Sequence, residues 1–278
     1  MPDVAPPPSA LGDVDIYDLA SAEVGDTFRV FVGRCGEVPH ALLLVTDANG
    51  MFGMAVDTVR LMQLPGLVPP MLVVGVGYPA AATIVETVEI RARDLTPTQT
   101  SRFEGSGGGD AFLGFIRREL LPWIAERAQT SFAPTIYFGH SLGGLFGAHA
   151  LLSEGATFDH WIISSPSLWW DHHVMFERER SYAAAHTDLT AGVWFGIGGE
   201  ETDEGRRREG ANLPYGHPMR PARTHLDMVA DMTHFVDALR DRGYPSLTID
   251  ADIYPDEFHA TVAPVVLSRG LRKIFAKR

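Results

Sequence analysis

Ile136-Tyr137-Phe138-Gly139-His140-Ser141-Leu142-Gly143-Gly144-Leu145-Phe146-Gly147-Ala148-His149 is the stretch whose reading decides the fold. Its centre, Gly139 to Gly143, matches Gly-x-Ser-x-Gly. The letters alone are a weak signal, because glycine and serine are common. Their context is stronger. The apolar run Ile136-Tyr137-Phe138 predicts a buried strand, and the small-residue run Gly143 to Ala148 predicts a helix. A tight strand-to-helix turn holds its serine in strained backbone geometry, and glycines on either side prevent clashes. The helix that follows aims its N-terminal amides at developing negative charge. An ordinary Gly-rich turn would share the letters, but strand, turn and helix all fall where a nucleophile elbow needs them.

Working outward, the 278 residues suffice for one large α/β core, with residues 1–13 as a flexible Pro-rich tail and 14–278 as a single domain. The net charge of −12 argues against nucleic acid or an anionic membrane as partner. Cys35 is the single cysteine, so no internal disulfide forms; it reads as part of a hairpin turn, without a local base to activate it. The N-terminus has neither the positive start nor the apolar core of a signal peptide. The uncharged stretch Leu61 to Val85 is broken by Pro65, Pro69, Pro70 and Pro79, which excludes a membrane-spanning helix there. A cytoplasmic protein is the expectation.

Asp15 to about Val45 predicts two or three strands in a meander, the last being the continuous apolar run Ala41 to Val45. A turn at Thr46 to Gly50, a short helix over 52–62 and a buried strand at Met71 to Gly77 follow. Residues 86–109 read as loop. The Ser106 to Gly109 cluster lacks the preceding strand that a phosphate cradle requires. Asp110 to Arg127 is the clearest helix, with Asp110 available as N-cap. Trp161 to Ser165 is another buried strand. It leads to Trp169-Trp170, read as pocket wall because ligands bind beyond the carboxyl ends of strands. Asp171-His172-His173 is not read as a metal site, since adjacent histidines on an extended chain point opposite ways. Gly192 to Gly198 and Leu247 to Ile253 predict further strands, and helices cover 224–242 and the C-terminus. Arg206-Arg207-Arg208, within a charged stretch over 203–223, reads as a solvated loop face or an anion-binding lid. Strands alternating with helices make a doubly wound, mostly parallel sheet with helices on both faces.

A serine hydroxyl needs a base near neutral pH. In elbow-type enzymes the partners follow in the order Ser, acid, His. His259 lies between the last strand and last helix, where the base belongs. The acid belongs after the preceding strand, where Glu200, Glu201 and Asp203 cluster; Glu201 is favoured and Asp203 stays open. An oxyanion needs two backbone donors. The Leu142 amide is one, and the loop Asp47 to Gly50 supplies the other, with the Asn49 amide favoured.

Taken together, these blocks are similar to the esterase family that includes the esterase D-like and siderophore-ester hydrolases. The resemblance is carried by Gly75-Val-Gly-Tyr-Pro79, Arg91-Ala-Arg-Asp94 with Thr96-Pro97, and Gly107-Gly-Gly-Asp-Ala-Phe-Leu113. Gly139-His-Ser-Leu-Gly-Gly-Leu145, Ser165-Pro-Ser-Leu-Trp-Trp170 and Glu257-Phe-His259 followed by Pro264 continue it. It implies an α/β-hydrolase fold, no cofactor and no metal, a Ser–acid–His triad, and a small-molecule ester substrate with Arg91 and Trp169 nearby. Two positions depart from the family pattern: the acidic loop is long and Arg-rich, and Asp47-Ala48 replaces Asp-Gly. The expected activity is carboxylic ester hydrolysis through an acyl-enzyme on Ser141, with siderophore-type or other small acyl esters as substrates. Acyl transfer by the same triad and ligand binding without catalysis are the alternatives.

Overall fold

The computed structural model describes residues 12–79, 87–153, 157–210 and 226–276. Most of the expected tail lies outside them. Eight strands form one sheet: β1 (Val14–Ala20), β2 (Thr27–Cys35), β3 (Ala41–Val45), β4 (Met71–Gly77), β5 (Thr135–His140), β6 (His160–Ser164), β7 (Ala191–Gly198) and β8 (Leu247–Tyr254). Their order is β1-β2-β4-β3-β5-β6-β7-β8. β1 and β2 pair antiparallel, β2 pairs antiparallel with β4, and every later pairing is parallel.

The central strands read as unbroken apolar runs because both faces are covered. Successive side chains alternate between two cores. Leu42, Leu44, Val74, Tyr137 and Ile163 join one, and Leu43, Val73, Phe138 and Ile162 the other. The second core is closed by α1 (Ala48–Gln63) and α9 (Val262–Phe275). The first is closed by α3 (Gly109–Gly114), α5 (Leu142–Leu151), α6 (Trp170–Ala185) and α8 (Met228–Asp241). Two short helices, α2 (Val88–Asp94) and α7 (Asp203–Gly210), lie in the connections. Among the described residues no helix is long and apolar enough to cross a membrane.

Five local expectations are corrected. β3 does not continue a meander: β2 crosses to β4, and β3 sits between β4 and β5. All five residues of β3 are buried, whereas β1 alternates with exposed positions, and a strand covered on both faces belongs at the centre. The helix expected over 52–62 begins at Ala48, because Asp47 adopts the left-handed conformation and turns the chain there. The stretch read as loop holds α2, which is short and buries only Ala92 and Asp94, too few positions to give an apolar period. The helix expected from Asp110 starts at Gly109 with Gly108 as its cap, and Asp110 instead meets His149 Nε2 at 2.9 Å. It passes through a π-helical segment, Phe115–Leu120, into α4 (Leu121–Ala128), where Pro122 has no N–H for the preceding turn. Finally, Cys35 is the buried last residue of β2, not a turn residue, and burial pushes its thiol up.

An aromatic cluster ties the antiparallel edge to the helical layer. The Phe28 ring stacks on Phe115 at 4.5 Å and lies 5.3 Å from Phe112 and 5.9 Å from Tyr78. Phe28 has no exposed surface. Phe28→Ala should therefore cost about 3–5 kcal/mol of stability, read as a lower urea midpoint at unchanged slope. A loss below about 1 kcal/mol would mean that the cluster collapses onto the gap.

Candidate active site

Ser141 joins β5 to α5 with φ 60° and ψ −116°, a conformation an L-residue holds only when its surroundings impose it. Here they do. Its amide donates to Ser164 O at 3.0 Å, and its carbonyl accepts from Leu145 N at 2.9 Å and Ser167 N at 3.1 Å. A side chain at Gly139 would strike the Gly143 carbonyl and the Tyr137 hydroxyl, and one at Gly143 would strike Thr46 Oγ1. Tyr137 OH donates to Gly143 O at 2.6 Å, so the turn is braced from beneath.

After β7, Glu201 is fully buried. Its Oε2 meets His259 Nδ1 at 2.6 Å, and its Oε1 accepts from Gly198 N at 2.9 Å and from the Ser165 hydroxyl at 2.5 Å. A carboxylate only accepts, so Nδ1 carries a proton, and in the neutral imidazole the lone pair then lies on Nε2. The other two acids turn elsewhere: Asp203 pairs with Arg207 at 2.5 Å and Glu200 with Arg208. Of the three candidates, Glu201 is the one brought to His259.

The His259 ring lies 4.5 Å from that of His140, the residue before Ser141, which sets the imidazole beside the elbow. His140 Nδ1 meets Ser164 Oγ at 2.9 Å. Burial, then the neighbouring His259 and Arg91, hold the His140 imidazole well below its usual range, and it stays neutral.

Two further loops reach the same edge. Asp47 is buried and left-handed, and Arg91 forks onto it, Nε to Oδ1 at 2.8 Å and Nη2 to Oδ2 at 2.6 Å. Burial opposes the Arg91 charge and Asp47 more than offsets it, so the guanidinium is raised above its usual range. Three residues on, Asp94 takes the Arg93 fork at 2.8 and 2.9 Å and meets Tyr78, while burial raises its carboxyl. Arg91 and Asp94 thus hold the loops after β3 and β4. Asn49 lies in the first turn of α1; its side chain accepts from Tyr78 N at 2.8 Å and donates to Tyr78 O at 3.1 Å. Leu142 opens α5 directly after Ser141.

Trp169 is half-buried at the start of α6, two residues beyond the amide that holds Ser141 O. Trp170 is buried against Phe103 and donates to Thr98 O at 3.1 Å. The chain after it is not extended, as the reading of the histidine pair assumed. Asp171, His172 and His173 form a left-handed run with φ of 44°, 54° and 63°, and His173 meets Asp231 at 3.1 Å. Arg207 and Arg208 are paired within α7 and its approach, and residues 211–223 of the candidate lid lie outside the described residues. A cleft of about 880 Å³ beside α9, lined by Trp194, Tyr254, Arg269 and Arg272, contains none of the candidate residues.

Sequence reasoning missed Ser165, His140 and the Gly198 amide as neighbours of the Glu201–His259 pair. The available signal was polar: Ser164-Ser165 closes an otherwise apolar strand, and both are fully buried.

Asp47 is buried and the Arg91 side chain is only 12% exposed, so Arg91→Met leaves a buried carboxylate without a partner and should cost about 3–5 kcal/mol. Arg91→Met with Asp47→Asn should recover much of that in urea melts; an equally unstable double variant would show that the charge pairing is not the cause. His140 gives a pH signature. It is neutral when folded and takes a proton near pH 6.5 when unfolded. The unfolded state therefore binds more protons below that pH, and stability falls on acidification by up to about 1.4 kcal/mol per pH unit. His140→Asn should flatten the slope between about pH 6.5 and 5; an unchanged slope would assign it to other groups.

Residues 79–246 match the Esterase family, described as "Putative esterase". The chain is 28% identical over 259 residues to the siderophore triacetylfusarinine C esterase of Aspergillus fumigatus, covering 87% of this chain and 84% of that protein. It is 30% identical over 182 residues to the ferri-bacillibactin esterase BesA of Bacillus subtilis, covering 59% and 62%. Among solved structures it superposes on the siderophore hydrolase EstB of Aspergillus nidulans with a TM-score of 0.80 at 24% identity, over 98% of both chains. On the BES protein of Bacillus cereus the TM-score is 0.76 at 25% identity, over 96% of both. The family match spans more than half of the sequence, and the sheet, the elbow and the helices on both faces make the fold that of the α/β-hydrolases: the chain belongs to the Esterase family and is an esterase.

Proposed function

We propose that the chain hydrolyses carboxylic esters through an acyl-enzyme on Ser141. The observation that carries this reading is the 2.6 Å contact between His259 Nδ1 and the buried Glu201 carboxylate, with the imidazole set beside the elbow. Ser141 Oγ attacks the acyl carbon while His259 Nε2 takes its proton. Glu201 fixes the tautomer and stabilises the imidazolium that forms. The oxyanion is received by the Leu142 amide at the N-terminus of α5 and by a second amide at the junction of β3 and α1, for which Asn49 in the first turn of α1 is the candidate. The tetrahedral species expels the alcohol, which takes the proton back from His259. Water, deprotonated by the same imidazole, then releases the acid and regenerates the hydroxyl. No metal or redox partner enters this balance.

The relatives' substrates suggest the substrate class. A siderophore triacetylfusarinine C esterase and a ferri-bacillibactin esterase are among them, so siderophore-type esters are the proposed substrates. Trp169, half-buried at the start of α6, is the candidate aromatic contact for such a substrate. Arg91, its fork engaged by Asp47, acts by fixing the loop that reaches the oxyanion.

Wild type should label with a fluorophosphonate at Ser141 and turn over a short-chain nitrophenyl ester. Ser141→Ala and His259→Ala should each lose about 10⁴-fold or more in kcat, and Glu201→Gln about as much or somewhat less. A siderophore-ester panel, followed by chromatography of the released acids, then ranks substrates. Turnover retained in Ser141→Ala would overturn the mechanism.

A further inference from the structure

We propose that Ser165 is a positioning residue: it holds Glu201 in place and sets how strongly that carboxylate draws the His259 proton. This rests on the triad reading above.

Glu201 is fully buried, and among the described residues no arginine or lysine pairs with it. Its charge is met by the Gly198 amide, the Ser165 hydroxyl and His259. The 2.5 Å Ser165 contact is the distance of an O–H donating to a carboxylate, among the stronger hydrogen bonds a side chain makes. The backbone is committed to this geometry. Ser165 holds φ 42° with no exposed surface, and its amide donates to Gly196 O at 2.8 Å. A non-glycine residue kept in that region marks a site where the surroundings over-determine the chain. The hydroxyl occupies Oε1, which leaves Oε2 aimed at Nδ1.

The same bond has an electrostatic effect. It is stronger while His259 is neutral and Glu201 carries an uncompensated charge, and weaker once the imidazolium shares that charge. The hydroxyl thus favours the neutral, base-competent imidazole. Other charged or titratable groups around the pair are His140 from β5, Arg91 from α2, Glu257 before α9, and Glu200 and Asp203 flanking Glu201. Glu200 and Asp203 have arginine partners of their own, and Glu257 accepts from Thr261.

The test compares wild type, Ser141→Ala, Ser165→Ala and Ser165→Gly. Glycine accepts φ 42° without strain, so Ser165→Gly should fold at least as well as Ser165→Ala while removing the same hydroxyl. Both Ser165 variants should lose about 10- to 100-fold in kcat with KM nearly unchanged. In both, the acidic limb of kcat/KM, and of fluorophosphonate labelling, should move to higher pH. Wild-type kcat and limb in Ser165→Gly would overturn the proposal. So would a rate loss that follows the drop in melting temperature with the limb unmoved, since that is the signature of a merely structural residue. Ser141→Ala separates the two levels. If it keeps turnover, the triad reading fails and this inference with it; if it is dead while the Ser165 variants match wild type, this inference alone fails.

Discussion

The positive φ of Ser141 is the constraint on which the rest of the site depends. Strain of that kind costs on the order of 1–3 kcal/mol and persists only where neighbours over-determine it. The neighbours here are the two strands flanking β5. On one side, the loop after β3 packs Thr46 against the space that Gly143 leaves empty. On the other, the end of β6 and the loop after it make four contacts through three residues. Ser164 O holds the Ser141 amide, Ser164 Oγ holds His140, Ser165 holds Glu201, and Ser167 N holds the Ser141 carbonyl. Parallel strands place all these loops at their carboxyl edge, so Glu201 and His259, arriving after β7 and β8, meet a Ser141 turn that is already fixed.

Asp47 and Glu201, both buried carboxylates at this edge, are treated in opposite ways. Asp47 has a guanidinium forked onto it, a cation that does not titrate near neutral pH. That pair is complete in the resting state and serves to hold a loop. Among the described residues Glu201 has only neutral donors and an imidazole as partners. Its charge is left incompletely compensated until the imidazole takes a proton, which in the proposed mechanism happens as Ser141 attacks. A permanent cation beside Glu201 would have satisfied the carboxylate and weakened its hold on an imidazolium. The contrast is between a charge used to set geometry and one that the proposed mechanism keeps available for chemistry.

Much of this was legible in the sequence because it follows from local pattern. The elbow shows itself through its glycines, and the central strands through runs without a polar face. The placement of Glu201 and His259 after successive strands follows from chain order. What was not legible depends on pairing across the sheet. Nothing local to β2 says that it crosses to β4, because its own alternation suits a hairpin equally well. The π segment in the α3–α4 helix leaves the apolar spacing close to helical and so is invisible to periodicity. The left-handed run Asp171 to His173 is imposed on residues that carry no glycine to announce it. Arg91 and Asp94 stood out as a motif, but their role as clamps on two loops needed Asp47 and Tyr78, distant in sequence, to be brought beside them.

The ambiguity over the acid has a physical origin in the same stretch. Glu200, Glu201 and Asp203 are close neighbours, and composition cannot rank them. The arginines that follow can. Arg207 lies four residues after Asp203, one helical turn along α7, and pairs with it; Arg208 reaches back to Glu200. The Arg-rich run that read as a solvated face or a lid supplies counterions to the two acids that do not meet His259. Glu201, turned inward between them, is hydrogen-bonded by groups from the loop after β6, from the end of β7 and from the loop before α9. The proposed acid has to be buried and free of arginine, and among the described residues this loop achieves that by giving its arginines to the neighbouring acids.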